Sequence, residues 1–258
     1  MSTRTKIALA SLVLLVVAAQ GAQAGDKWKK GIGTGFFALN LDGDIGLDST
    51  LAGGPVKLDV DLDNSDVSDL MESAFGFTGF AAKDKWRILY GASHLELEGD
   101  GSGTVGATPV SADLTIKVTK ANAYGVYSFA RSSRNTWGAL FGLEFTKHDW
   151  ENDLVVGGTP GSRELDNSWV DGVVGLTHAF DITENVSWSN RAQGGFGGSE
   201  GTILLNTGIN WHVAKHWMLT FYGQRIAVDY ENDNPGDREY YVYDVDEFGA
   251  GFGVTYIF

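Results

Sequence analysis

The chain has 258 residues, with 33 Asp and Glu against 19 Lys and Arg, a formal charge of −14, and no cysteine. So acidic a surface repels phosphate backbones, which excludes nucleic acid as a partner, and without thiols there are no disulfides, thiolate metal sites or Cys nucleophile. Thirty-five glycines against four prolines, with 12% aromatics, suit close-packed strands rather than helices, and the length fits one domain.

The N-terminus reads as an export signal: basic Arg4 and Lys6, an apolar run from Ile7 to Ala19, and a small-residue site Ala22-Gln23-Ala24. The apolar run is shorter than the about 20 residues that a spanning helix needs. Residues 1–24 are therefore expected to be a signal peptide cleaved after Ala24, leaving 25–258 as a single exported domain.

Four short polar stretches then punctuate the chain: 83–85, 132–135, 183–185 and 214–216. Each predicts a tight turn, and each is followed within three residues by a tryptophan, Trp86, Trp137, Trp188 and Trp217, while Trp28 follows Asp26-Lys27. Five strands thus start with Trp at one end, near 28–41, 86–98, 136–149, 186–197 and 216–230. Five return near 73–82, 112–130, 168–181, 202–213 and 245–258. The opposite connections, near 42–72, 99–111, 151–167 and 231–244, are expected to be long loops, with one tight turn at Ser199-Glu200-Gly201.

Alternation is clearest at the end of the chain. Phe248, Ala250, Phe252, Val254, Tyr256 and Phe258 share one face, and Gly249, Gly251, Gly253 and Thr255 the other, the period of a strand between lipid and a crowded interior. Trp137, Ala139, Phe141, Leu143 and Phe145 are likewise expected outward, with Gly138, Gly142, Glu144 and Thr146 inward. From 202 to 213 the outward set is Ile203, Leu205, Ile209 and Trp211. Around Trp217, Leu219 and Phe221 share parity with Arg225, so either Arg225 faces lipid or a bulge near Gly223 shifts the register; the bulge is preferred. Segments 32–41 and 73–82 are apolar on both parities and their faces stay open.

The pattern predicts a closed antiparallel up-and-down transmembrane β-barrel of about ten strands, with eight or twelve as alternatives, short periplasmic turns and longer extracellular loops. Tryptophan is most stable where hydrocarbon meets water. Trp28, Trp86, Trp137, Trp188, Trp211 and Trp217 at one rim, with Trp150 and Trp169 at the other, are the expected membrane-interface girdle. The terminal Tyr256-Ile257-Phe258, with the girdle and the signal, resembles the insertion signal of outer-membrane barrels. Most of 25–258 resembles the small outer-membrane barrels related to the OmpA and OmpW groups, nearest a proteobacterial set with a Gly-Gly-Phe-Gly-x-(Gly)-Ser hairpin, here Gly194 to Ser199, and a Gly-Tyr-Arg strand, here Gly223-Gln224-Arg225. Gln stands where that set has Tyr. The resemblance implies the bacterial outer membrane as location, insertion by the barrel assembly machinery with periplasmic chaperones through Tyr256 and Phe258, and outer-membrane lipids and lipopolysaccharide as surroundings.

A barrel of this size is largely filled by side chains. Glu144, Asp171, Arg191, Gln193, Asn206, Asn210 and Glu247, with Arg225 if the bulge exists, are expected to form a polar network in the lumen. Glu144 and Asp171 lie at similar heights on adjacent strands and need cationic company, for which Arg191 and Arg225 are the donors considered.

The segment 59–66 carries alternating Asp residues but lacks the Gly at position six, and Leu70 stands where a calcium loop has its twelfth-position Glu. No metal site is assigned, nor any cofactor. A short strand with Val60 and Leu62 on one face, then a helical turn capped by Ser65 or Asp66 and running through Val67, Leu70 and Met71, is expected instead. Catalysis ranks last, because Ser93-His94 and His148-Asp149 each put their two members on opposite faces of a strand. The leading expectation is a non-enzymatic barrel with an envelope or surface role and at most minor passive solute passage. A narrow channel for small solutes or ions is second, and an outer-leaflet lipid hydrolase or protease third.

Overall fold

The computed structural model describes residues 27–49, 54–105, 108–156, 158–232 and 239–258; the expected signal peptide lies outside them. The elements are β1 (Lys29–Ser49), β2 (Gly54–Leu62), α1 (Asn64–Leu70), β3 (Met71–Lys83), β4 (Trp86–Val105), β5 (Thr108–Arg131), β6 (Asn135–Val156), β7 (Thr159–Asp181), β8 (Val186–Phe196), β9 (Gly201–Ala214), β10 (Trp217–Glu231) and β11 (Tyr241–Ile257). Consecutive strands from β3 to β11 pair antiparallel, and β1 closes the ring by pairing with both β11 and β3. The result is a closed ten-stranded barrel with β2 as an additional strand hydrogen-bonded to β1.

Tight turns join the strands at one end. Asp84 takes a left-handed backbone (φ 55°) between β3 and β4, and Ser132 accepts at Oγ from Asn135 N in the next turn. At the other end, three of the expected long loops are mostly strand. β4 and β5 stay paired as far as Val105 and Thr108, and β6 and β7 as far as Val156 and Thr159. Their polar composition suggested loops, because beyond the lipid the outward face of a strand takes residues such as Glu151, Asp153 and Glu164 while the alternation continues inside.

On β6, β7, β9 and β11 one parity faces outward, whereas β5 shifts register between Ser128 and Ala130. Outward lie Phe141 and Leu143 on β6, Val174 and Leu176 on β7, Ile203 and Leu205 on β9, and Phe248 and Phe252 on β11, all exposed. A contiguous apolar surface of this extent is unfavourable in water and suits hydrocarbon. The two ambiguous segments are resolved: Phe36 faces out and Phe37 in on β1, while Phe75 and Phe77 face out on β3. No bulge occurs at Gly223, where β10 runs in register with both neighbours; the irregularity between β9 and β10 lies at Trp217 and Met218. Arg225 consequently faces outward.

The wall is interrupted at one place. β1 pairs with β3 only from Lys29 to Gly33, and with β2 from Leu41 to Ser49. Between them, Thr34 donates its hydroxyl to Gly76 O at 2.9 Å, and Asn40 spans two elements, donating to Phe248 O at 2.9 Å and accepting from Asn64 N at 3.0 Å. That second bond seats α1. Its N-cap is Asp63, not Ser65 or Asp66: the Asp63 carboxylate accepts from the backbone of both, and Asp66 returns the bond in a capping box. Val67, 1% exposed, turns inward among Phe37, Leu39, Leu95 and Leu97. The helical turn therefore closes the gap in the wall, rather than leaning on the rim or the membrane surface.

Candidate functional site: the barrel lumen

The lumen is layered. Nearest the short turns, Leu89, Tyr124, Val126, Leu140 and Val173 pack together, with Met218 and Ile257 forming a smaller cluster against Phe80. Above them the polar residues form several small groups rather than one network. Glu144 accepts from Tyr124 OH at 2.6 Å and from Gln193 Nε2 at 3.4 Å. Arg191 lies 5.7 Å over the Tyr124 ring, its Nε and Nη1 buried without a hydrogen-bond partner among the described residues. Asn206 donates to Gln224 at 3.3 Å, and Asn210 joins Ser189 and Thr220 at 2.9 and 3.0 Å.

Asp171 sits directly opposite Glu144 in the β6–β7 register but serves a different purpose. Its carboxylate accepts from Gly198 N, Ser199 N, Ser199 Oγ and Thr202 Oγ1 at 2.7 to 3.2 Å, fixing the tight β8–β9 turn. Gly197 has φ +122° there, and a Cβ at Gly198 would lie 2.7 Å from the Val170 backbone. The Gly-rich hairpin and Asp171 thus form one device, in which backbone and hydroxyl donors stabilise the carboxylate without a cation.

Sequence reasoning missed two inward cations, Arg87, 8% exposed on β4, and Lys120. The Lys120 Nζ lies 2.7 Å from both carboxylate oxygens of Glu247, from which Tyr243 OH is 3.1 Å. Lys120 comes from β5 and Glu247 from β11, so the pair ties together strands that are not neighbours in the wall. Its inward parity, shared with Tyr124 and Val126, was the available signal. Arg225, expected inside, instead points outward and grips Asp246 with two bonds of 3.1 and 2.6 Å.

Phe37 and Tyr222 stack with centroids 5.7 Å apart and planes 4° from parallel. The glycine row of β11 makes room for them, since a Cβ at Gly251 would lie 2.6 Å from the Tyr222 hydroxyl.

On the long-connection side of these layers lies a cavity of about 360 Å³. Aliphatic side chains, including Leu39, Val60, Leu70, Leu95, Leu97 and Ile116, line most of it; Ser93, Lys120, His148, Tyr243 and Glu247 supply its more buried polar groups, and the exposed Asp59, Asp61 and Glu98 line it as well. Beside it, Trp169 stacks on Tyr230 at 4.1 Å, and Trp150 packs 5.8 Å from Tyr241. Trp150 and Trp169 are 5% and 6% exposed, so they belong to the aromatic filling of the lumen and not to an outer girdle. Trp150 shares the inward parity of Glu144 and Thr146, as Trp169 does that of Asp171. Trp28, Trp86, Trp137, Trp188, Trp211 and Trp217 are exposed on the outside near the short turns.

Tyr256 faces outward with its ring 5.1 Å from Trp217, and Phe258 N donates to Lys30 O across the closing seam. The outer face near this end also holds a polar chain. Trp188 Nε1 donates to Thr207, Thr207 to Asn190, Asn190 to His178 and His178 to Asn135, at 2.8 to 3.3 Å.

Neither candidate catalytic pair is assembled. Ser93 faces the lumen while His94 faces out, bonded to Thr119 at 2.9 Å. His148 is buried against Tyr241, and Asp149 faces out to Lys147. No group of three or more His, Asp or Glu residues suited to a metal occurs among the described residues.

No protein-family model matches the chain, and no curated protein matches it. Among solved structures, the translocator domain of the autotransporter NalP from Neisseria meningitidis is similar at 9% identity over 90% of this chain and 89% of that one, TM-score 0.47. An outer-membrane channel from Pseudomonas putida F1 is similar at 7% identity over 95% and 99%, TM-score 0.41. Ail, the attachment invasion locus protein of Yersinia pestis, crystallised with a heparin analogue, gives 12% identity over 90% and 99%, TM-score 0.35. At these values the likenesses carry no argument about what the lumen does.

Proposed function

We propose that this chain is an integral bacterial outer-membrane barrel of non-enzymatic type, closed to through passage and acting at the cell surface. The observation that carries this reading is the filled lumen: the Lys120–Glu247 bridge, the Phe37–Tyr222 stack and the packed apolar layers succeed one another from the cavity to the short turns. A ten-stranded barrel is narrow enough for side chains to fill, and here large side chains occupy successive layers. The apolar outer belt and the tight turns at one end support orientation with those turns in the periplasm. In that orientation the cavity opens on the side of the lipopolysaccharide leaflet, and Tyr256 and Phe258 present the insertion signal to the assembly machinery. Kinship with barrels of the OmpA and OmpW groups belongs to the same proposal and rests on the Gly194 to Ser199 hairpin.

Planar-bilayer recording with purified protein tests it. The expected result is an absence of discrete current steps from the unaltered protein, and from a Phe37→Ala, Tyr222→Ala double variant as well, since the Lys120–Glu247 pair and the apolar layers still fill the lumen. Regular steps from the unaltered protein would establish the narrow-channel reading instead.

A further inference from the structure

We infer that the cavity in the outward half of the lumen is a binding site for a small, largely apolar molecule bearing one oxygen-containing head group. Its volume of about 360 Å³ equals that of about a dozen waters; Asp59, Asp61 and Glu98 line it from exposed positions, but its buried wall is aliphatic, with Leu39, Ile45, Leu95 and Leu97, so water at that wall would find few partners. Pockets that are apolar with a few convergent polar groups are the usual form of small-ligand sites.

The second observation is His148. It is 1% exposed and lines the cavity. Its Nδ1 is 2.7 Å from Tyr241 OH, while Nε2 is buried without a partner among the described residues. A buried polar atom left unpaired costs stability, and a ligand oxygen would satisfy it. The Tyr243 ring, 4.6 Å from the imidazole, and the Lys120–Glu247 pair complete the polar end. That pair is already neutral and mutually bonded, which favours an uncharged hydroxyl or carbonyl over a carboxylate or an amine, either of which would have to displace one partner. Val67 and Leu70 of α1 belong to the same apolar surroundings, so the segment that closes the wall also helps form the site.

The test uses the mature protein in phosphatidylcholine nanodiscs and equilibrium dialysis with 2-naphthol and naphthalene, against empty nanodiscs. Saturable uptake of one 2-naphthol per barrel is expected, with naphthalene bound about tenfold more weakly for want of the hydrogen bond. His148→Phe should bring 2-naphthol down to the naphthalene level and leave naphthalene unchanged. Leu97→Trp, which fills the cavity, should abolish both. Folding of each variant is read by heat-modifiable migration in detergent gels; should His148→Phe not fold, Leu97→Trp and the contrast between the two probes decide. Uptake that only matches empty nanodiscs, binding that survives Leu97→Trp, or a hydroxyl preference that survives His148→Phe would each overturn the inference.

Discussion

Lys120 and Glu247 meet across the lumen with Nζ 2.7 Å from both carboxylate oxygens, although four strand-to-strand steps separate β5 from β11 around the wall through β1. Both side chains are largely buried, so removing one leaves the other charged and unpaired. Glu247→Ala or Lys120→Ala is expected to lower stability by about 3 to 5 kcal/mol. The double replacement Lys120→Met with Glu247→Leu should recover most of that loss. Urea unfolding in detergent checks both, and equal losses from the single and double replacements would contradict the pairing.

Asp171 accepts four hydrogen bonds at the β8–β9 turn, and Asp171→Ala orphans them together. The expected cost is about 3 kcal/mol, within the range for bonds to a charged group, with Ser199 and its neighbours becoming accessible to hydrogen exchange. Glu144→Gln, directly opposite on β6, should leave that turn protected, because Glu144 bonds to Tyr124 and Gln193 instead.

Gly251 faces the Tyr222 ring from the next strand. Gly251→Val is expected to displace that ring and break its stack on Phe37, with an overpacking cost of about 1 to 3 kcal/mol. Combining Gly251→Val with Tyr222→Ala should cost less than the two changes summed. Thermal unfolding of the four-member mutant set measures the coupling.

The Asp63 carboxyl is held below its ordinary value by hydrogen bonds from the Ser65 hydroxyl and the Asp66 and Ser65 backbone. Because the folded value is the lower one, its contribution is present above the unfolded value and is lost as pH falls through the folded value. Hydrogen exchange at Val67 N, which bonds to Asp63 O, is therefore expected to gain an acid-dependent opening that Asp63→Asn removes. An opening with the same pH profile in the Asn variant would exclude Asp63 as its source.

The strands were legible wherever lipid and lumen impose different chemistry. On β6, β9 and β11 the apolar and small or polar residues simply alternate, and each face follows. At Phe36-Phe37 both neighbours are aromatic, because one serves hydrocarbon and the other a stack on Tyr222, so composition alone cannot separate them. Trp150 and Trp169 were misplaced by residue type, although the parity of their own strands pointed inward. Arg225 suggested a bulge because its partner, Asp246, lies on β11 and becomes visible only once β10 and β11 are in register. The cavity was illegible for a similar reason: its lining comes from residues far apart in the chain, and β2 and α1 lay in what reads as a loop.

At 22 residues, β6 stands about 55 Å tall at ordinary rise and tilt, roughly twice the height of the apolar band. The strands β4 to β7, of 20 to 24 residues, therefore project well beyond the bilayer as stiff, hydrogen-bonded hairpins on one side of the barrel, while β8 to β10, of 11 to 15 residues, do little more than span it. In the orientation proposed above these hairpins face the exterior, and their described backbone, held in the β-ladder, leaves proteases little extended chain to draw into their clefts.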